Sequence, residues 1–321
     1  SHMSANCRQF KSLPRFSALP ALLCLLFAAN NTHAGETAVE QSGSGVDLFQ
    51  DTTFDADSRS SETSAAAEEL VEAIPAHEHE VPIADAVTTA EGTAVPLKLL
   101  GQEIMPGSAQ RLAWSATELF EGVPVSTPVL VVNGERPGPT LCLTAAVHGD
   151  ELNGIEMVRR VLHDIDPGKL SGAVIGVPIV NVQGFRRGSR YLPDRRDLNR
   201  YFPGNPNGSA AARIAHALFK EVIAHCDALV DLHTGSFERA NLPQIRADLR
   251  NPNVVTLTLG FGSMVVLHSQ PTVGTLRHAA TMADIPAVTV EAGGPSQLEL
   301  AEVKHGVKGI ETLLSTLGMV K

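Results

Sequence analysis

Aromatic residues are scarce and basic residues are outnumbered in this sequence. Its 321 residues include one tryptophan and two tyrosines, and the formal net charge is −10. Nucleic-acid-binding proteins usually carry a basic patch, so this composition argues against a nucleic-acid partner. No Gly-x-Ser-x-Gly segment occurs, which argues against a serine hydrolase with a nucleophile elbow. After residue 34 no stretch reaches the roughly 20 apolar residues that span a bilayer, so no stable membrane span is predicted in the mature protein.

The first 34 residues have the order of features of a secretory signal peptide. Ser-His-Met at 1–3 is interpreted as a cloning scar. Three basic residues in 4–15 precede an apolar run at 16–29, and Thr-His-Ala at 32–34 offers a small-residue cleavage site. The run is short for a membrane anchor. The sequence therefore predicts an exported protein, located in the periplasm.

The next segment, 35–92, is strongly acidic. It contains fourteen Asp or Glu residues against one Arg and has few large apolar side chains. Such a segment cannot bury enough surface to offset its chain entropy, so it is predicted to be a flexible acidic linker. The remaining residues, 93–321, are nearly neutral and have the length of one domain.

Apolar runs in this domain predict strands that alternate with helices. Strands are predicted at 128–132, 140–147, 173–180, 228–231, 263–267 and 287–290, and helices at 151–162, 209–226 and 299–317. Several strands are continuous apolar runs, as expected where both faces of a sheet are covered. The prediction is an α/β domain, a three-layer sandwich with a mixed, largely parallel central sheet.

Residues that can bind metal or transfer protons stand at the ends of three predicted strands. These are His148, His233 and Glu291. Ligand sites in open α/β sheets lie beyond the carboxyl ends of the strands, so the three side chains are expected to meet there. Glu151 follows His148 by three residues, and Gly149 is expected to allow a tight turn between them. Two imidazoles and one carboxylate are the ligands of many catalytic zinc sites.

Two further features concern a loop and the cysteines. The segment 190–204 contains four arginines and Asn199, and arginine suits carboxylate binding and oxyanion stabilisation. Asn199 and Arg200 are expected to be held against the core. Cys142 and Cys226 are expected to be buried thiols, with a disulfide as the alternative in an exported protein.

With these motifs the sequence resembles the succinylglutamate desuccinylase/aspartoacylase branch of the zinc carboxypeptidase-like hydrolases. The resemblance runs from about 139 to 294 and is carried by four motifs in the expected order. They are His-Gly-Asp-Glu at 148–151, Arg-Tyr at 190–191 with Asp-Leu-Asn-Arg at 197–200, Asp-Leu-His at 231–233, and Val-Glu-Ala-Gly at 290–293. The resemblance implies a zinc carboxypeptidase-like fold and a zinc hydrolase catalytic domain over 93–321.

The resemblance also implies a role for each matching residue. His148, Glu151 and His233 would bind one Zn²⁺ ion, and Glu291 would act as general base and then as general acid.

The matching polar residues would contact the substrate. Arg190 would polarise the scissile carbonyl, while Asn199 and Arg200 would bind the carboxylate of the amino-acid part. Arg277 would be a further substrate-binding residue, although its spacing from Glu291 matches the family less well.

The predicted function is hydrolysis of an amide bond next to a carboxylate-bearing amino acid, with a small N-acyl amino acid as substrate. One alternative is a periplasmic metallocarboxypeptidase acting on peptides or cell-wall fragments. Family members continue into a β-rich C-terminal domain, whereas this sequence ends soon after the 299–317 helix. Either the chain is truncated or its cleft is open to a peptide. The other alternative is a non-catalytic zinc-binding protein, which would need neither Glu291 nor Arg190.

Overall fold

The structure is a computed structural model that describes residues 93–116 and 125–321. The predicted signal peptide (1–34) and acidic linker (35–92) lie outside the described residues. The described part begins with an antiparallel hairpin of β1 (Leu97–Leu99) and β2 (Gln102–Ile104). Its two turn residues, Leu100 and Gly101, have φ of 51° and 71°, and two such residues give a turn whose twist matches that of the strands.

The remaining described strands form one sheet of eight. They are β3 (Ser108–Trp114), β4 (Thr127–Asn133), β5 (Arg136–Ala145), β6 (Ser171–Val177), β7 (Ala228–His233), β8 (Asn241–Ala247), β9 (Val265–His268) and β10 (Ala287–Gly293). Their order is β3-β4-β6-β5-β7-β10-β8-β9. The four central strands β6, β5, β7 and β10 are mutually parallel, and β3, β4 and β8 pair antiparallel with their inner neighbours. The predicted mixed, largely parallel sheet is confirmed.

Helices cover both faces of this sheet. They are α1 (Asn153–Asp164), α2 (Val182–Arg186), α3 (Ala210–Glu221), α4 (Pro252–Leu259), α5 (Leu276–Met282) and α6 (Leu300–Thr316). Residues of α3 and α5 belong to one buried apolar cluster, and residues of α1, α4 and α6 belong to the other. The result is the predicted three-layer sandwich. Among the helices of the described ranges, none combines the length and the apolar character that a membrane span requires.

The predicted elements exist, but several of their ends differ. The helix predicted from residue 151 begins at Asn153, so Glu151 lies in the turn that precedes it. Ser209 caps α3, because its side chain accepts a hydrogen bond from the Ala212 amide. That helix ends at Glu221 and is followed by a short 3-10 turn. Strand β8 was not predicted, because its sequence has no long apolar run.

The prediction of free buried thiols is wrong. Cys142 in β5 and Cys226 just before β7 form a disulfide across a separation of 84 residues. Both residues are buried. The crosslink joins the central strand β5 to the segment that follows α3, which fixes the entry of the chain into β7.

Removing this disulfide should lower the free energy of unfolding by about 2–5 kcal/mol, because a crosslink over a long loop restricts the unfolded chain. Urea denaturation with and without a thiol reductant measures the effect. The Cys142→Ala/Cys226→Ala double variant is the control, since its midpoint should not respond to reductant. An unchanged midpoint for the reduced wild-type protein would contradict the prediction.

Candidate metal centre and active site

A cleft lies at the carboxyl ends of the central strands. Its volume is about 350 Å³. The lining includes every residue to which the sequence assigned a site role: His148, Glu151, Arg190, Asn199, Arg200, His233, Arg277 and Glu291. The fold therefore gathers into one cavity residues that are separated by more than a hundred positions in the sequence.

Three of these residues form a compact, buried cluster. His148, Glu151 and His233 are each no more than 5% exposed, and one potential ligand atom from each lies within 4.8 Å of the others. The carboxylate of Glu151 lies between the two rings. Its Oε1 is 2.9 Å from Nδ1 of His148, and its Oε2 is 2.8 Å from Nδ1 of His233.

The opposite nitrogen of each ring meets a second carboxylate. Nε2 of His148 lies 3.0 Å from Asp197, and Nε2 of His233 lies 2.7 Å from Asp231, which also accepts a hydrogen bond from the Thr144 hydroxyl. Carboxylates in this position orient metal-binding imidazoles and fix their tautomer. A metal ion at the centre of the cluster would take the place of the protons that the two Nδ1 atoms share with Glu151. The donor set of two imidazoles and one carboxylate fits zinc.

The charges in the cluster are strongly coupled. Burial would raise the pKa of Glu151, but the charge of His233 and the hydrogen bonds from His148 and His233 outweigh it and lower that pKa. Burial would also raise the pKa of Asp197. The favourable contacts, of which the hydrogen bond from His148 is the largest, outweigh burial and lower that pKa to about 2. Burial would lower the pKa of His233, but the charges of Asp231 and Glu151 raise it well above its usual value. The lowered pKa values keep Glu151 and Asp197 ionised beside the imidazoles.

Gly149 explains how the cluster comes close to Arg190. A Cβ at this position would lie 2.2 Å from the carbonyl carbon of Gly184, so no other residue fits there without moving the backbone. The expected tight turn is present, since the Glu151 amide donates to the His148 carbonyl at 3.2 Å, and Gly149 adopts it without a left-handed φ. Because the backbones at Gly149 and Gly184 are so close, the Gly149 amide can donate to the Arg190 carbonyl at 3.3 Å. This contact brings the start of the segment 190–204 beside Glu151.

Arg190 directly contacts the cluster of His148, Glu151 and His233. Its Nη1 donates to Oε1 of Glu151 at 2.9 Å, and its Nη2 lies 3.6 Å from Asp197. The guanidinium carbon is also 5.8 Å from the centre of the Phe237 ring. The side chain is 14% exposed, so its charge faces the cleft from a partly shielded position.

Glu291 lies beside His233 on the neighbouring strand. In the parallel pairing of β10 with β7, Glu291 is directly opposite His233. Its Oε2 accepts a hydrogen bond of 2.8 Å from Asn241, and its Oε1 lies 3.2 Å from Nε of Arg246. Asn241 and Arg246 belong to β8, and the sequence analysis missed them because neither stands in a ligand-like pattern.

The other predicted substrate residues, Asn199, Arg200 and Arg277, also line the cleft. Asn199 is buried, and its Oδ1 accepts a hydrogen bond of 2.8 Å from the Leu276 amide, so the expectation that it is held against the core is confirmed. The same expectation is wrong for Arg200, whose side chain is 53% exposed. Arg277 is buried and donates two hydrogen bonds of 3.0 Å to Ser269.

The catalytic-domain profile of the succinylglutamate desuccinylase/aspartoacylase family matches residues 137–317, which hold all of these side chains. This chain belongs to that family.

Individual relatives agree with this assignment. The N-alpha-acetyl-L-2,4-diaminobutyric acid deacetylase of Halomonas elongata is 37% identical over 133 residues, which are 41% of this chain and 36% of that protein. The succinylglutamate desuccinylase of Pseudomonas aeruginosa is 32% identical over 136 residues, 39% of this chain and 38% of that protein. A solved succinylglutamate desuccinylase/aspartoacylase from Rhodobacter sphaeroides has a TM-score of 0.60 at 28% identity and covers 66% of each chain.

These relatives are hydrolases that carry the names deacetylase and desuccinylase. The chain spans 36% and 38% of the length of the two curated relatives. Family membership is therefore established for the catalytic domain, whereas the reaction of the whole protein is inferred below.

Proposed function

We propose that this protein is an exported, zinc-dependent hydrolase that cleaves the amide bond of a small N-acyl amino acid. The observation that carries the proposal is the buried cluster of His148, Glu151 and His233, which shares a cleft with Glu291. A metal centre with an adjacent carboxylate is the minimum that metal-assisted amide hydrolysis requires.

His148, Glu151 and His233 would bind the zinc ion. Bound zinc supplies a Lewis acid and lowers the pKa of a water molecule to about 7. Asp197 and Asp231 keep the two imidazoles in the orientation that presents Nδ1 to the centre.

The remaining chemistry belongs to two charged side chains. Glu291 accepts the proton of the attacking water and later delivers it to the leaving amine. Arg190, partly shielded from solvent, donates hydrogen bonds to the oxyanion that develops on the scissile carbonyl.

The substrate is expected to carry at least one carboxylate. Five arginines line the cleft, namely Arg190, Arg200, Arg239, Arg246 and Arg277, against three carboxylate residues. Asn199 and Arg200 are proposed to bind the carboxylate of the amino-acid part, with Arg277 as a further contact. Arginine suits this task because its fork of N–H donors matches a carboxylate.

The size of the cleft favours a small substrate over a peptide. A volume of about 350 Å³ is near the lower end of the 300–1,000 Å³ that is typical of small-molecule sites. A metallocarboxypeptidase would use the same residues but needs space for a longer chain.

Export is part of the proposal. The disulfide between Cys142 and Cys226 supports it, because such crosslinks persist in oxidising compartments and are rare in the cytosol. The signal-like features of 1–34 support it independently.

A substrate screen tests the proposed function. The full chain, loaded with zinc, is incubated with N-acetyl and N-succinyl amino acids and with short peptides, and free amines are measured. We expect hydrolysis of acyl amino acids that a chelator abolishes and added zinc restores. Preferential cleavage of peptides would support the carboxypeptidase alternative, and zinc binding without hydrolysis of any compound would support the non-catalytic one.

A further inference from the structure

We infer that Asn241 and Arg246 are positioning residues that hold the Glu291 carboxylate in its working orientation. This inference rests on the proposed function, in which Glu291 transfers the proton. It adds two residues of β8 to the catalytic apparatus and assigns each of them one oxygen of the same carboxylate.

The contacts divide between the two carboxylate oxygens. Asn241 donates from Nδ2 to Oε2 of Glu291 at 2.8 Å. Nε of Arg246 lies 3.2 Å from Oε1. A carboxylate held at both oxygens by separate groups cannot rotate without breaking one contact, so the pair restrains the terminal torsion of the side chain.

Arg246 buries one polar atom beside Glu291. Its side chain is 41% exposed, yet its Nε atom is buried and makes no well-aligned hydrogen bond among residues 93–116 and 125–321. Burying a polar atom of a charged group is unfavourable unless a partner compensates it. The ion pair with Glu291 is the compensation that the described contacts provide.

Strand pairing explains why these two residues flank Glu291. In the antiparallel pairing of β8 with β10, Arg246 is opposite Thr289 and Asn241 is opposite Gly293. Thr289 and Gly293 stand two positions before and after Glu291. Arg246 and Asn241 therefore approach the carboxylate diagonally from opposite directions along β8, and diagonal neighbours on one sheet face lie within reach of long side chains.

Loss of either contact should lower turnover more than substrate affinity. Without the restraint the carboxylate would sample orientations unsuited to proton transfer, and misplacement of a catalytic group by about 1 Å can cost about 100-fold in rate. We expect Arg246→Met and Asn241→Leu each to lower kcat by about 10- to 100-fold with KM within about twofold of wild type. Arg246→Lys, which keeps the charge, should recover part of the loss.

Arg250→Met is the matched control. Arg250 follows β8 and pairs with the carboxylate of Asp248, but it does not line the cleft. Its replacement should leave kcat and KM unchanged. Melting temperatures of all variants show whether a loss of turnover follows from unfolding.

Two kinetic results would overturn the inference in a protein that hydrolyses acyl amino acids. One is wild-type kcat in both Arg246→Met and Asn241→Leu. The other is a rise in KM at unchanged kcat, which would make these residues substrate ligands instead.

Crystal structures of the variants provide a readout that does not need turnover. The Glu291 carboxylate should leave its wild-type position in both, and an unmoved carboxylate would refute the positioning role. If the wild-type protein hydrolyses no acyl amino acid, the proposed function fails, while the structures still decide whether Asn241 and Arg246 hold Glu291.

Discussion

Replacing Glu291 with alanine should lower kcat by about 10²- to 10⁴-fold, the usual contribution of a positioned general base, while the variant still binds the proposed zinc ion. Glu291 lies next to His233 across the pairing of β10 with β7, but it is not one of the three clustered residues. Its removal therefore takes away the proton acceptor and leaves the ligand set intact. Single-turnover kinetics and metal analysis of the purified variant measure the two quantities separately.

A glutamine at position 291 refines the test. Glu291→Gln keeps the shape of the side chain and can still contact Asn241, but it cannot accept the proton, so its kcat should be as low as that of the alanine variant. Glu311→Ala is the control, because Glu311 is an exposed residue of α6. Substantial turnover by Glu291→Ala would contradict the role of Glu291 as the base.

Replacing His233 with alanine should abolish both zinc binding and turnover. Two protein ligands would remain where a catalytic zinc site uses three. Without bound zinc the variant should also be less stable than the wild-type protein, because Asp231 and Glu151 are both about 1% exposed and would lose a hydrogen-bonded, charged partner. Breaking a buried ion pair by removing one partner commonly costs about 3–5 kcal/mol.

Metal analysis, turnover and urea denaturation of the variant test these three effects. Excess zinc should not restore its activity, whereas zinc should restore wild-type protein that a chelator has stripped. His305→Ala serves as the control, since His305 is an exposed residue of α6. Stoichiometric zinc in His233→Ala would refute the assignment of His233 as a ligand.

The strand ends show how much of the site was predictable. Apolar runs located β5, β7 and β10 to within a few residues, and the residue types at their ends identified His148, His233 and Glu291 as neighbours. This worked because parallel central strands are buried on both faces and therefore appear as continuous apolar segments. The exact helix start near Glu151 was not predictable, because the turn that holds Glu151 depends on its contacts with His148, His233 and Arg190.

Other site residues could not be predicted from the sequence around them. Asn241 and Arg246 lie on a strand whose residues are mostly half-buried and not continuously apolar, and its pairing with β10 gives them their contact with Glu291. The disulfide was also not predictable, because Cys142 and Cys226 are 84 residues apart in the sequence. Two cysteines in apolar segments can equally be free thiols, and only the folded structure shows that these two are adjacent.

The order of residues along the chain by itself determined the α/β architecture, the candidate metal ligands and the family, because burial periodicity and residue chemistry are local properties of a sequence. Tertiary structure alone decided the environment of each group: Glu151 between two imidazoles, a second carboxylate behind each ring, Gly149 against the Gly184 backbone, and β8 beside Glu291. These depend on distances between segments far apart in sequence, which are fixed only when the strands pair and the helices pack.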